Sequence, residues 1–271
     1  MQNQEASWLL CEKYHGHDCP AYHEDLARLA AGEPLAYVIG YVPFLGCKIW
    51  LDSRPLIPRP ETEYWVEKAI ITIKQSVTPR GTLGNSLGFP SEQLTTKPLI
   101  DEHLHILDLC AGSGAIGVAV ANHIPQSNVT FAEIDHIHLP TIKKNIDHTH
   151  SQNSSVNWTI TQSDLFENIT STFDFILANP PYIDPALDRT ELSVKNYEPP
   201  LALYGGDDGL ALIKKIIAQA PIHLQPQGQL WIEHEPEQAE AITALGATAG
   251  FAVTTHPDQY GVIRYSVLVL E

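Results

Sequence analysis

Hydrophobic and polar positions change rhythm several times along this chain of 271 residues. Residues 2–31 read as two short helical segments. Leu26, Leu29 and Ala30 recur at helical spacing, and Gly32 fits the stop. Residues 35–58 read as extended, with Tyr37, Val38, Ile39, Tyr41, Phe44, Ile49 and Trp50 set around turns at Pro43 and Gly46. A helix then starts near Glu61 and carries Trp65, Val66, Ala69 and Ile70 on one face. Residues 74–103 are polar and hold Pro79, Gly81, Gly84, Gly88, Pro90 and Pro98, which marks a flexible linker or insertion.

From His105 a regular alternation begins. Strand 104–109 leads to helix 115–123, strand 128–133 to helix 138–147, and strand 156–161 towards strand 173–178. Helix 208–220, strand 228–234, helix 236–247 and strands near 250–256 and 262–270 follow. Strands alternating with helices predict an α/β fold, a doubly wound and mostly parallel sheet of seven strands. The last two strands have no helix between them and so predict an antiparallel hairpin at or near one edge. The expected divisions are 1–34, a helical region too short to hold a core alone, 35–73, a hairpin and connecting helix, the linker 74–103, and the main domain 104–271.

Composition narrows the partners. Lys+Arg 16 against Asp+Glu 32 gives a net charge of −16, which argues against a partner gripped through its phosphates. The acidic balance suits a small molecule or a neutral or basic protein. Cys11, Cys19, Cys47 and Cys110 form no CxxC pair, as expected of a reducing compartment. Cys11, His15, His17, Cys19 and His23 cluster, but without a second spaced pair no metal is assigned. The N-terminus has no basic region followed by an apolar run, and no stretch approaches the ~18 apolar residues of a membrane span. A cytoplasmic protein is expected.

Chemistry concentrates at strand ends. Phe173-Asp174-Phe175-Ile176-Leu177 fits a strand buried on both faces, and Pro180 and Pro181 end it. Asn179 therefore stands at the carboxyl mouth of a strand, where open α/β sheets bind ligands. Its carboxamide oxygen and the Pro180 carbonyl are two neighbouring acceptors suited to an –NH2 group. Taken alone, the pair is better explained by an Asn-Pro turn, and the rest of the chain reverses that preference. Upstream, Asp108 and Cys110 run into Ala111-Gly112-Ser113-Gly114-Ala115-Ile116-Gly117, a glycine turn that lets backbone approach a ligand at a helix N-terminus. Its literal G-x-G-x-x-G would by itself suggest a dinucleotide. Glu133, followed by Ile134, ends the next strand, where an acid takes ribose hydroxyls; Asp135 is the weaker substitute. Asp164, followed by Leu165, ends the third strand, either as an adenine-amino acceptor or as a helix N-cap.

Taken as an ordered set, these motifs resemble class I S-adenosylmethionine-dependent methyltransferases acting on planar amino or amide nitrogens. Leu56-Ile57-Pro58-Arg59-Pro60-Glu61-Thr62-Glu63, Asp108 to Ile116, Asn179-Pro180-Pro181-Tyr182-Ile183, Tyr197-Glu198-Pro199 and Ala202-Leu203-Tyr204-Gly205-Gly206-Asp207-Asp208-Gly209-Leu210 look more closely like the HemK-type protein-(glutamine-N5) methyltransferases of peptide chain release factors. The resemblance runs from about Gly32 to the C-terminus. It implies methyl transfer from S-adenosylmethionine, with S-adenosylhomocysteine as product, to the glutamine amide in the Gly-Gly-Gln loop of a release factor.

That resemblance assigns Asn179, Pro180 and Tyr182 to catalysis. Asp108, Cys110, Ala111, Gly112, Gly114, Glu133, Ile134, Asp164, Leu165 and Asn179 would meet the cofactor. Asn179, Pro180, Pro181, Tyr182, Pro199, Arg59 and Phe44 would meet the substrate. Asp108 either orients the cofactor's amino end or caps loop amides, and Arg59 and Glu61 either shape the channel or pair with each other. A monomer is expected. Family members carry a helical N-terminal domain of ~70 residues, and the region before Leu35 is much shorter. Rival acceptors are a ribosomal-protein glutamine or adenine N6, which the charge disfavours. An NAD-dependent oxidoreductase leaves Asn179-Pro180-Pro181-Tyr182 unexplained, and a non-catalytic subunit leaves the intact site unexplained.

Overall fold

The computed structural model describes residues 2–77, 103–150, 157–187 and 189–271. Helices α1 (Gln2–Glu12) and α2 (Pro20–Ala30) form the two predicted N-terminal segments. They lean on the rest of the chain as their length demands. Lys13 Nζ donates to the Val38 carbonyl at 2.7 Å, and Tyr197 Oη donates to the Ala31 carbonyl at 2.9 Å.

The segment expected to be extended from residue 35 departs from that reading. Leu35–Ile39 forms a short helix, α3, between Pro34 and Gly40. Proline pre-sets the φ needed to enter it, and Gly40 at φ +97° ends it in a left-handed cap. Pairing begins only with β1 (Tyr41–Phe44) and β2 (Cys47–Trp50), an antiparallel hairpin. Pro43 lies within β1 rather than at a turn, which a two-stranded ribbon tolerates because its outer edge needs no donor. The turn itself is Leu45-Gly46, both at positive φ, which matches the twist of the flanking strands.

Helix α4 (Pro60–Val77) overruns the expected start of the linker, and residues 78–102 of that linker lie outside the described residues. Strands β3 (Leu104–Leu109), β4 (Ser127–Glu133), β5 (Asn157–Gln162), β6 (Phe173–Ala178), β7 (Leu224–Glu233), β8 (Phe251–Pro257) and β9 (Ile263–Leu270) make one sheet in the order β5-β4-β3-β6-β7-β9-β8. The first five run parallel, and β9 is antiparallel to both its neighbours, as the closely spaced final strands predict. Helices α5 (Ala115–His123), α6 (Leu139–His150), α7 (Leu192–Tyr197), α8 (Ala211–His223) and α9 (Ala239–Thr248) complete the set. Helix α8 begins three residues later than the pattern predicts because Asp208 (φ 60°) and Gly209 (φ +67°) hold a tight turn there.

Successive strand residues face opposite sides, so the sheet divides the core in two. Ile106, Phe175, Leu177 and Trp231 pack with α4, α5 and the hairpin, whereas Leu107, Leu109, Ile176, Leu230 and Ile232 pack with α8 and α9. Where β3 and β6 diverge to opposite helical layers, the strand order reverses and a crevice opens at their carboxyl ends.

Candidate functional site

Two cavities meet at that crevice. One, of about 270 Å³, is walled by Cys110, Gly112, Glu133, Ile134, Asp164 and Leu165, with Pro181 and Pro199 on its far side. The other, of about 200 Å³, is walled by Arg59, Pro180, Tyr182, Ile183, Leu187, Glu191 and Val194. Asn179, Leu56 and Ala202 line both. Asn179 therefore stands at the junction between the chamber that bears the glycine turn and the second chamber.

The first chamber is built from strand ends. Ala111 N–H donates to the Ala132 carbonyl at 3.1 Å, tying the glycine turn to the end of β4. Glu133 Oε2 accepts from Gly112 N–H at 2.7 Å and its Oε1 from Asp135 N–H at 2.9 Å, so the carboxylate is fixed facing the chamber. A Cβ added to Gly112, at φ +56°, would meet nothing within 4 Å, so backbone is exposed there to a ligand. Cys110 and Leu165 also line this chamber and hold positive φ (62° and 49°), strain that non-glycine residues accept where a site demands it. Burial pushes the Cys110 thiol up, so it is no thiolate nucleophile.

Asp108, Ala111 and Gly114 lie beneath the turn rather than on the chamber wall. Asp108 is fully buried and its Oδ2 accepts from Gly117 N–H at 2.8 Å. Burial pushes its carboxyl up to about 8, and the nearby Glu133 charge adds to that. The capping reading is the one its contacts satisfy, while Oδ1 has no partner among the described residues. Ala111 packs in the core, and Gly114 (φ +78°) caps α5 where a Cβ would approach Ile142 to 3.0 Å.

The second chamber is organised by an acid that the sequence pattern did not single out. Glu233, at the end of β7, is 1% exposed. Its Oε2 accepts from Thr62 Oγ1 at 2.7 Å and Trp65 Nε1 at 2.6 Å, and its Oε1 from Tyr182 Oη at 2.8 Å. Burial raises its carboxyl above the usual range, and burial, then the Glu233 charge, raises the Tyr182 phenol well above its own. With its one proton given to Glu233, Thr62 Oγ1 accepts from Asn179 Nδ2 at 3.2 Å. The Asn179 Oδ1 is thereby turned outward, and among the described residues it has no partner. The sequence signal for Glu233 was a lone acid closing the apolar run Leu230-Trp231-Ile232, the same pattern that marked Glu133.

Other motifs act as braces. Glu198 accepts from Ile57 N–H at 3.0 Å and from Arg59 Nη2 at 2.5 Å, so Tyr197-Glu198-Pro199 pins the Leu56–Arg59 stretch. Arg59 thus pairs with Glu198 and not with Glu61. Ile183 N–H donates to the Leu203 carbonyl at 2.9 Å and Gly205 N–H to the Ile183 carbonyl at 3.0 Å, fixing the chain after Asn179. Gln238 Nε2 donates to the Tyr182 carbonyl at 2.9 Å. Phe44 departs from expectation: it is 1% exposed, packs in the core and lines neither chamber. Pro181 and Pro199 face the first chamber rather than the second. Among the described residues no three His, Cys, Asp or Glu side chains converge as metal ligands, and no helix is long and apolar enough to cross a membrane.

Fold and site define a class I methyltransferase, and the methyltransferase small domain family matches residues 91–198. A release factor glutamine methyltransferase of Francisella tularensis is 38% identical over 229 residues, 84% of this chain and 71% of that protein. Its namesake from Lactococcus lactis is 32% identical over 95% of this chain and 86% of its own length. The chain belongs to the release factor glutamine methyltransferase family. In fold it is also similar to the solved catalytic domain of human Mettl16 in complex with an RNA hairpin, with a TM-score of 0.56 at 16% identity over 83% of this chain and 76% of that one.

Proposed function

We propose that this chain acts as a cytoplasmic monomer that transfers a methyl group from S-adenosylmethionine to the side-chain amide nitrogen of the glutamine in a release factor's Gly-Gly-Gln loop. The observation that carries this reading is the position of Asn179 in both chambers, with Oδ1 turned outward by Thr62. The first chamber fits the cofactor. Gly112 offers open backbone, Glu133 a fixed carboxylate for ribose hydroxyls, and Asp164 an acceptor towards adenine. When bound, the cofactor supplies an electrophilic methyl on a sulfonium.

The chain's own residues handle the acceptor. An amide nitrogen is a poor nucleophile because its lone pair is delocalised, so alignment is the main task. Asn179 Oδ1 and the Pro180 carbonyl each accept one N–H of the substrate amide, which aims the nitrogen at the junction. The same two acceptors favour the positive charge that grows on nitrogen. Tyr182, held by Glu233 at one end and Gln238 at the other, forms a rigid wall beside the amide. The methylated nitrogen is acidic enough to lose its proton to water, so no general base is assigned.

The test is incorporation of label from methyl-labelled S-adenosylmethionine into purified release factor. Replacing the Gly-Gly-Gln glutamine should abolish it, and Asn179→Ala should slow it by at least ~100-fold. Incorporation that survives both changes would overturn the reading. Preference for a ribosomal protein or a nucleic acid over release factor would move the acceptor elsewhere.

A further inference from the structure

We propose that His138 is a cofactor-binding residue of this chain, donating its Nε2–H into the first chamber to a ribose hydroxyl of the nucleoside. The proposal rests on the cofactor reading of that chamber. His138 immediately precedes α6 and is 4% exposed, yet it lines the chamber beside Glu133, Ile134 and Asp135. Its ring is anchored from behind, where Nδ1 lies 2.9 Å from Ser53 Oγ.

The direction of that bond follows from its neighbours. Thr141 Oγ1 accepts from Ser53 N–H at 3.3 Å and gives its own proton to Ser53 Oγ at 2.7 Å. Ser53 then has one hydroxyl proton to place, and His138 Nδ1 is the acceptor within reach. If Nδ1 instead carried the proton, the Ser53 hydroxyl would have to turn its hydrogen to Thr141 Oγ1, and the Thr141 hydroxyl hydrogen would then have no acceptor among the described residues. A neutral imidazole whose Nδ1 accepts carries its hydrogen on Nε2. Among the described residues Nε2 has no partner, and on a side chain only 4% exposed at the cavity wall it is open to a group bound in the chamber.

Chemistry on the facing wall selects the ligand group. Glu133, Asp135 and Asp164 present carboxylates, which accept. A ribose hydroxyl both gives and takes a hydrogen bond. Glu133 can take the proton of one, and His138 supplies the donor that the carboxylates cannot. Ser53 lies three residues before Leu56, which lines both chambers, so the chain entering that position also sets the His138 tautomer.

Isothermal titration of the full chain with S-adenosylhomocysteine and with its 2′-deoxy and 3′-deoxy analogues tests this. His138→Ala should weaken S-adenosylhomocysteine binding about fivefold, the worth of one neutral hydrogen bond. It should also erase about the same factor of discrimination against one deoxy analogue. His138→Gln, which keeps a donor, should recover part of both, and Ser53→Ala should show a smaller loss with the same analogue pattern. Equal weakening towards all three ligands, or none, would overturn the role of His138. No binding by the unaltered chain would overturn the methyltransferase reading and this proposal together, whereas binding with unchanged discrimination overturns only the latter.

Discussion

Asn179 and Thr62 stand 117 residues apart in the chain and are joined by one hydrogen bond, Asn179 Nδ2 to Thr62 Oγ1 at 3.2 Å. That bond decides which end of the carboxamide faces the second molecule. Because the Thr62 proton is committed to Glu233, the amide cannot flip without leaving two acceptor oxygens pointed at each other. Thr62→Val removes the bond but not the shape. It should lower kcat about fivefold, the effect of ~1 kcal/mol. Cofactor affinity should be unaffected, since Thr62 lines neither chamber. Thr62→Ser should restore the rate. Steady-state kinetics beside a cofactor titration separate the two effects, and a loss in affinity alone would count against an orienting role.

Glu198 ties the Leu56–Arg59 stretch to the loop that carries Pro199. Glu198→Ala leaves the buried Ile57 N–H without an acceptor and frees Arg59, which is only partly buried. A loss of about 2 kcal/mol is expected, read as a lower urea midpoint. KM for the protein substrate should rise as well, because Leu56 lines both chambers. An unchanged midpoint would show that the brace carries no stability.

Asp108 gives the chain a pH-dependent stability. In the unfolded chain its carboxyl loses its proton near pH 4, but in the fold only around pH 8. Between those limits the folded chain alone holds the proton. The contribution is therefore complete below about pH 4 and falls as pH rises through about 8. Glu233, also raised by burial, acts in the same direction. Asp108→Asn keeps an acceptor for Gly117 N–H and has nothing to titrate. Denaturant midpoints across pH 5–9 should fall less steeply in this variant, and parallel profiles would refute the assignment.

Gly209 is held where no side chain fits. A Cβ there would lie 2.1 Å from the Tyr182 carbonyl oxygen and 2.5 Å from Gln238 Nε2, at φ +67°. Gly209→Ala should cost about 3 kcal/mol, combining overpacking with left-handed strain. That corresponds to a fall in melting temperature of roughly 10 °C for a chain of this size. Gly112→Ala, where a Cβ meets no protein atom, should fold far better and instead weaken cofactor binding.

Much of this was legible in the sequence because strand-end chemistry is local. The apolar run before Asn179 and the glycines after Cys110 place their residues at the sheet's carboxyl edge whatever the rest does. The doubly wound order followed from alternating periods alone. Less was legible where meaning depends on distant partners. Leu35–Ile39 has too few residues to show a helical period, and only the flanking Pro34 and Gly40 define it. Phe44 reads in the sequence as an extended residue that meets the substrate, but the hairpin turns it into the core. Arg59 and Glu61 are close in sequence, yet Glu198, 139 residues away, is where the guanidinium goes. Glu233 and His138 gain their roles only when Thr62 and Ser53 are brought against them.

The position of β9 between β7 and β8 has a consequence for the order in which the chain assembles. Strand β8 is synthesised first, yet among the described residues it hydrogen-bonds only to β9. Until β9 arrives, the outer edge of β7 and all of β8 present raw backbone to any passing strand. One insertion then seals both edges. The ladder it makes with β7 ends at the pair Glu233↔Tyr265, so the residue that anchors Thr62, Trp65 and Tyr182 acquires its neighbour in that same event. Competence and protection from aggregation therefore depend on the same pairing, rather than on two separate ones.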